Sequence, residues 1–335
     1  MPNQIIMKTK IFLFALFLTL SQFAFAQKVK LTGVVRSEGG ESLSYAFLLD
    51  KTTGVAVYAD TLGIYSLPLT DSSKVEVSCD GYINTDIDPA GHKTLDIVLK
   101  KDPAYVKPAM VIAKTKDMEV MNESFKRHVE VHPGSSYGYN NAVVYSTIVQ
   151  INGSRFLFPK WVHGYIVRPR GQIVQGQSML FNYDKMDGDL YYTTDLAKVN
   201  VADKNQIRGF VLFDQQNKPY TFEMMTGIST VLYSRVISAG AKYKIYKLTN
   251  TQYEPANLRS DGVVTTGHED DEYVDHDVYY IQNLSTYNYQ PLLLSKKALK
   301  AAFADEGDKV TGFLESHKGE IDENYLVSLG EAMNN

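Results

Sequence analysis

The sequence predicts a mostly β protein: a small seven-stranded sandwich, then a larger antiparallel β domain that ends in α-helices. Three observations predict it. Short runs of alternating apolar and polar residues recur from residue 28 to residue 282. Gly-, Asn- and Asp-containing turn pairs punctuate them, and only the last forty or so residues change to a helical period.

Residues 1–26 read MPNQIIMKTKIFLFALFLTLSQFAFA. Lys8 and Lys10 form a positive start, with Met7 as an alternative initiator. Ile11 to Leu20 form an apolar run too short to span a bilayer, and Ala24-Phe25-Ala26 has the small-x-small pattern of a signal peptidase site. Cleavage is expected before Gln27. Because Gln27 is not Cys, the expected product is an exported protein without a lipid anchor, periplasmic or on the cell surface. No later segment is apolar for the roughly 20 residues that a spanning helix needs. The charged, helical end argues against a membrane barrel, which must close strand on strand.

The formal net charge is −4 with both signs mixed, so no basic stripe marks a nucleic-acid partner. Cys79 is the single cysteine, which excludes an intrachain disulfide. In VEVSC, Val75, Val77 and Cys79 fall on one side of a strand and Glu76 and Ser78 on the other, so Cys79 reads as a buried small hydrophobe.

From 27 to 101 the strand segments are KVKLTGVV, YAFLLD, GVAVYA, GIYSLPL, KVEVSC and TLDIVLK. Turns fall at Gly39-Gly40, Thr53-Gly54, Asp71-Ser72 and Ala90-Gly91. About seven short strands at this spacing suggest a sandwich. In Asp60-Thr61-Leu62-Gly63-Ile64-Tyr65, Gly63 permits a tight turn, Asp60 can cap it, and Tyr65 enters the next strand. These residues, together with Gly33-Val34-Val35, Tyr45-Ala46-Phe47, Val75-Glu76-Val77-Ser78 and Gly81-Tyr82, resemble the carboxypeptidase regulatory-like domain, a transthyretin-like β-sandwich. The turn Ser37-Glu38-Gly39-Gly40-Glu41 is longer and more acidic than the family's. The resemblance implies a non-catalytic module attached to something else, common in secreted and envelope proteins of Bacteroidota. It does not imply peptidase activity.

Residues 102–141 mix Pro and charge and read as a linker with a short helix from about Asp117 to Val129. From 142 the alternation returns in AVVYSTIVQIN, FLFPKWVHGYIV, GQIVQGQSMLFNYD, DLYYTTD, IRGFVLFD, PYTFEMM, STVLYSRVIS, AKYKIYKL and EYVDHDVYYIQ, with turns at Asp187-Gly188 and Gln216-Asn217. A large twisted antiparallel sheet or half-open barrel is expected. Three short helices follow within 295–335. Ser295 caps Lys296–Phe303, a second covers Lys309–His317 with Gly319 beyond it, and Asp322 caps Glu323–Met333, with Tyr325, Leu326, Leu329 and Met333 on one face.

The densest chemistry lies in TTGHEDDEYVDHDVYY, residues 265–280, with two histidines and six acids in sixteen positions. His268, Glu272 and His276 are the candidate metal ligands, and a metal-assisted hydrolase using them is one alternative. Against it, the histidines are eight apart, and a strand over 273–281 puts His276 on the face opposite Asp275 and Asp277. A solvated loop that guards a strand start is the stronger reading of 269–272. Gly134-Ser135-Ser136-Tyr137-Gly138 matches G-x-S-x-G but lacks the strand before and the helix after. His317-Lys318-Gly319-Glu320 matches H-x-x-E, yet Gly319 breaks the helix that a zinc pair needs. Tyr137, Tyr139 and Trp161 are candidate ligand contacts, with Trp161 better read as a core anchor. Tyr191, Tyr192, Tyr279, Tyr280, Tyr287 and Tyr289 could form an aromatic platform for sugars or peptides, and a carbohydrate or peptidoglycan binder is a further alternative, though half-buried strands favour tyrosine anyway.

No catalytic residue and no cofactor are assigned. The expected function is a non-catalytic binding, assembly or structural protein of the bacterial envelope, whose partner is another envelope protein or peptide. The hydrolase and the carbohydrate binder stay open as alternatives.

Overall fold

The computed structural model describes residues 29–106, 112–117, 129–133, 146–260 and 264–335, with the backbone alone at 29, 112–117, 129–133, 146–150, 260 and 265. Residues 1–26, expected to be a leader, lie outside the described residues. The chain divides into two compact units, 1–103 and 104–335.

The first unit holds seven strands: β1 (Val29–Ser37), β2 (Phe47–Asp50), β3 (Ala56–Tyr58), β4 (Ile64–Leu69), β5 (Val75–Ser78), β6 (Thr85–Ile87) and β7 (Ile97–Leu99). They form two sheets, ordered β4-β1-β7 and β3-β2-β5-β6. The short β6 lies in none of the six strand segments read from the sequence. Nor is the unit wholly antiparallel, since β1 and β7 run parallel.

Alternation sets the core. Leu31 and Val35 of β1 are buried, while Lys30 between the sheet faces is exposed. They meet Leu48, Val57, Tyr65, Leu67, Val75, Val77 and Leu99 in one cluster, each large apolar side chain contributing roughly 1.5–3 kcal/mol. The Asp60 turn forms as its residues dictate. Asp60 Oδ1 accepts from the backbone N–H groups of Leu62 at 2.8 Å and Ile64 at 2.9 Å. Gly63 takes φ +76°, and a Cβ there would lie 2.7 Å from the Val35 carbonyl oxygen, so glycine is required twice over. Tyr65 donates its hydroxyl proton to the Leu95 carbonyl at 2.6 Å. Cys79 is buried, and burial pushes its thiol up to about 11, away from the reactive thiolate.

The second unit is built on one large sheet. Its strands are β8 (Ile112–Asp117), β9 (Val129–Pro133), β10 (Ser146–Asn152), β11 (Val162–Val167), β12 (Ile173–Val174), β13 (Leu180–Tyr183), β14 (Leu190–Thr193), β15 (Lys198–Ala202), β16 (Gly209–Phe213), β17 (Pro219–Glu223), β18 (Ser234–Ala239), β19 (Tyr243–Glu254), β22 (Asp271–Asn283) and β23 (Asn288–Pro291). A separate ribbon, β20 (Arg259–Ser260) and β21 (Thr265–Thr266), interrupts β19 and β22. The main path runs β8-β15-β14-β13-β11-β16-β17-β18-β19-β22-β10-β9. Most pairs are antiparallel, but β10 and β22 pair in parallel at Ile151–Asp271 and Asn152–Glu272.

One expectation needs correction here, and another falls outside the described residues. The stretch 102–141 is not simply a linker: it supplies β8 and β9, which end the path of the large sheet. Asp117 and Val129, the bounds of the expected helix, both lie in strands; the residues between them lie outside the described residues. The strand KVNVA, β15, lies in none of the segments read from the sequence.

Inside the second unit, Tyr183, Phe210, Phe222 and Tyr233 form a ring cluster. Beside it, the fully buried carboxylate of Asp184 accepts from Arg155 Nε at 3.0 Å and Nη2 at 2.6 Å, and from the Met186 amide at 3.0 Å. The helices follow expectation closely: α1 (Lys296–Ala302), α2 (Gly307–Ser316) and α3 (Glu323–Asn334). Ser295 Oγ accepts from the Ala298 amide at 3.3 Å and Asp322 Oδ1 from the Tyr325 amide at 2.8 Å. Leu299, Phe303, Val310, Leu326, Leu329 and Met333 pack onto Tyr243, Ile245 and Ile281. Asn334 fastens α3 to β19: its Oδ1 accepts from the Lys242 and Tyr243 amides, and its Nδ2 donates to the Tyr243 carbonyl. No described helix is long and apolar enough to cross a membrane.

Burial leaves a pH signature in β11. It pushes the His163 imidazole down to about 4, from an ordinary 6.5. As pH falls, the unfolded chain takes up this proton first. The stability from the neutral, folded ring is therefore complete above about 6.5 and is lost toward pH 4, a loss on the order of 3 kcal/mol. Denaturation midpoints measured between these limits should fall more steeply for the native chain than for His163→Gln. Parallel profiles would refute the assignment.

Candidate functional site

The sequence-predicted segment lies on the longest ladder among the described residues. β19 and β22 pair in antiparallel fashion from Tyr243–Asn283 to Glu254–Glu272. Helices cover the end near Ile245 and Ile281. Residues 255–270 make the connection at the other end.

Period-two geometry sorts the side chains. Asp275 and Asp277 share one face of β22, opposite Thr251 and Thr249. Thr251 Oγ1 donates to Asp275 Oδ1 at 2.6 Å, and Lys185 Nζ donates to both oxygens of Asp275, at 2.8 and 2.7 Å. Thr249 Oγ1 donates to Asp277 Oδ1 at 2.6 Å, and Lys247 Nζ pairs with Asp277 at 2.7 Å. Burial alone would lower the Lys247 ammonium; its hydrogen bond to Asp277 and that carboxylate's charge outweigh burial and raise it. Asp271 accepts from the Tyr253 hydroxyl and, at 2.7 Å, from the Ala256 amide. Three of the six acids therefore clamp β22 to its neighbours. Glu269 and Asp270 stay in the turn, as the solvated-loop reading expects, but Asp271 and Glu272 already belong to the strand.

On the opposite face stand Glu272, Val274 and His276, with Glu254 directly across from Glu272. The connection carries His268 back to this corner. Its backbone N–H donates to Asn257 Oδ1 at 2.9 Å, and its carbonyl accepts from the Asn257 amide at 3.1 Å. Asn152 Nδ2 reaches Asp270 at 3.3 Å. Gly153, at φ +75°, lets the chain after β10 pass so close to Tyr273 that a Cβ would lie 2.4 Å from its carbonyl oxygen.

The two candidate histidines do come together, through a residue that the sequence reading missed. His268 Nε2 lies 3.9 Å from one carboxylate oxygen of Glu254, and His276 Nε2 lies 3.8 Å from the other. Glu254 is on the partner strand, and only the ladder register reveals it. Glu272 takes its place across from Glu254. Among the described residues, no group of three or more His, Cys, Asp or Glu side chains is placed to hold a metal ion.

Elsewhere, Trp161 is half-buried and packs against Phe156, Tyr191, Val199 and Val201. Tyr137, Tyr139 and the Gly134–Gly138 stretch lie outside the described residues. His317 stacks on Phe313 with ring centroids 3.9 Å apart, at the end of α2. Tyr191 and Tyr192 are buried in strand packing, so they cannot belong to a surface platform; Tyr287 is exposed, and Tyr289 lies edge-on to Tyr246.

No family model matches the chain, and no curated protein matches it. Among solved structures, it is similar to the major pilin subunit BcpA of Bacillus cereus at 7% identity and a TM-score of 0.16, covering 80% of this chain and 93% of that one. A point variant of that subunit matches at 9% identity and the same TM-score, covering 79% and 93%. Likeness at that TM-score carries no argument about fold or function, so the residues themselves carry the reading below.

Proposed function

We propose that this chain is an exported envelope protein that binds or assembles with another envelope protein or peptide and is not itself a catalyst. The observation that carries the reading is the use made of the acidic segment. Asp271, Asp275 and Asp277 spend their lone pairs on Tyr253, Thr251, Lys185, Thr249 and Lys247 of their own unit. Carboxylates so engaged hold a ladder in register; catalytic carboxylates face a substrate cleft. The resemblance of residues 28–101 to the carboxypeptidase regulatory-like domain supports the same reading, as does the leader-like composition of residues 1–26.

Strand addition is the physical route to a partner. In the first unit, β7 closes its sheet on one side, and Val98 on it is 54% exposed. A photo-crosslinking residue at position 98 should capture a discrete partner from envelope extract. The same probe at Leu196, in the second unit, should not. No product above control at position 98, or equal products at both positions, counts against the reading. Glycan-array binding without a protein crosslink would instead favour a carbohydrate ligand.

A further inference from the structure

We propose that the second unit docks on an anionic lipid bilayer through Leu293 and Leu294, which enter the interface, and through Lys296, Lys297, Lys300 and Lys318, which hold the headgroups. The claim goes beyond the partner reading above and stands whether or not β7 captures a protein.

The argument begins with the run Leu292-Leu293-Leu294, between β23 and α1. Leu292 is 3% exposed and joins Leu299 and Phe303 in the helix cluster. The next two leucines stay outside it, 69% and 42% exposed. Among the described residues, they are the only exposed large hydrophobic residues that are adjacent in sequence. One exposed leucine is ordinary; two together beside a charged groove mark a surface that meets another apolar phase.

The charge lies next to them. The four lysines line an open groove of about 610 Å³ between α1 and α2, with Leu314 in its wall and Glu315 as the only carboxylate of the lining. Lys296 follows Leu294 by two residues, so their Cα atoms stand within about 7.6 Å. Lys296 Nζ donates to the Leu314 carbonyl at 3.4 Å, which ties the start of α1 to the last turn of α2. Elsewhere in the unit, Lys185, Lys242, Lys244 and Lys247 each hold a carboxylate within 2.8 Å. Among the described residues, no ion pair occupies the four groove lysines. They gather positive charge on a chain whose formal net charge is −4.

Aliphatic side chains flanked by lysines have the composition of an interfacial anchor. The leucines gain by leaving water, and the ammonium groups gain from the negative surface potential. Lysine stems lie along apolar surface while their heads reach phosphates. An acidic protein would meet the same charge. Seated in the groove, however, it would leave the leucines outside, since they are not part of the lining. A fluid surface takes both at once.

The test floats the full chain with vesicles of phosphatidylglycerol and, separately, of phosphatidylcholine. All variants share residues 1–26, so differences among them report this surface alone. Stronger flotation with the anionic vesicles is expected, weakening as salt rises from about 0.1 M to 1 M and the screening length falls from about 10 Å to about 3 Å. Amide exchange at residues 293–301 should slow on those vesicles. Lys297→Gln and Lys300→Gln should each weaken binding about fivefold. Leu293→Ser and Leu294→Ser should each weaken it about tenfold. Lys218→Gln, in the β16–β17 turn, should leave it unchanged. All these side chains are exposed, so the fold should persist, as melting curves would show. Unchanged exchange at 293–301 would overturn the proposal, as would binding that the lysine variants or the leucine variants leave intact. So would capture of an acidic protein by a photo-crosslinker at position 297 without any vesicle binding.

Discussion

Phe210→Ala is expected to destabilise the second unit by about 3–5 kcal/mol, the range for removing a fully enclosed aromatic ring. Phe210 is 1% exposed in β16, a strand buried on both faces. Its ring stacks on Phe222 at 4.9 Å and 18°, meets Tyr233 edge-on at 5.0 Å, and lies 5.4 Å from Tyr183. Truncation takes a partner from three rings at once. The backbone of β16 is held between β11 and β17, so it cannot collapse into the space. Tyr183→Phe provides the calibration. It keeps the ring and loses only the hydroxyl that accepts from the Tyr233 amide at 2.9 Å, a cost of about 1–3 kcal/mol for the donor left behind. Trp161 is the only tryptophan, and it packs within the second unit, so its fluorescence reports this unit's unfolding in urea. A midpoint that moves less for Phe210→Ala than for Tyr183→Phe would refute the account.

What could be read from residues alone follows the range of the forces involved. Strand alternation, the Asp60–Gly63 turn and the caps at Ser295 and Asp322 are decided within a few residues, and the structure forms each of them. Pairing partners are not local. Nothing in KVNVA or in the 112–117 stretch announces that each is the other's neighbour at one end of a large sheet. The parallel β10–β22 pair depends on a distant chain reversal. The candidate site shows the same division. Parity correctly separated His276 from Asp275 and Asp277, because alternation is a property of one strand. Glu254 was invisible because its approach to both imidazoles depends on register between strands, where a slip of one residue would turn it to the other face. The acids looked like a possible ligand set for a related reason: their lysine and threonine partners come from elsewhere in the chain.

Arg155→Ala is expected to cost about 3–5 kcal/mol, although Arg155 itself is partly exposed. The cost falls on the residue left behind. Asp184 has no exposed surface, and its Oδ2 takes both bonds from Arg155 while Oδ1 takes the amides of Met186 and Asp187. With the guanidinium gone, a carboxylate stays out of water with only dipoles to stabilise it. Asp187 also pairs with Arg155 at 2.6 Å, but it is 57% exposed, so its share is within about 0–1 kcal/mol. Asp184→Asn should cost less than Arg155→Ala: the amide carbonyl can still accept from the turn, and no buried charge remains. In the double variant the loss should be smaller than the sum of the two, because removing the carboxylate's charge removes what made losing Arg155 costly. A coupling of about 1–3 kcal/mol, read from urea midpoints by Trp161 fluorescence, is the expected outcome. Additive losses would mean that Arg155 stabilises the unit through its packing on Phe156, 5.8 Å from the guanidinium, rather than through Asp184.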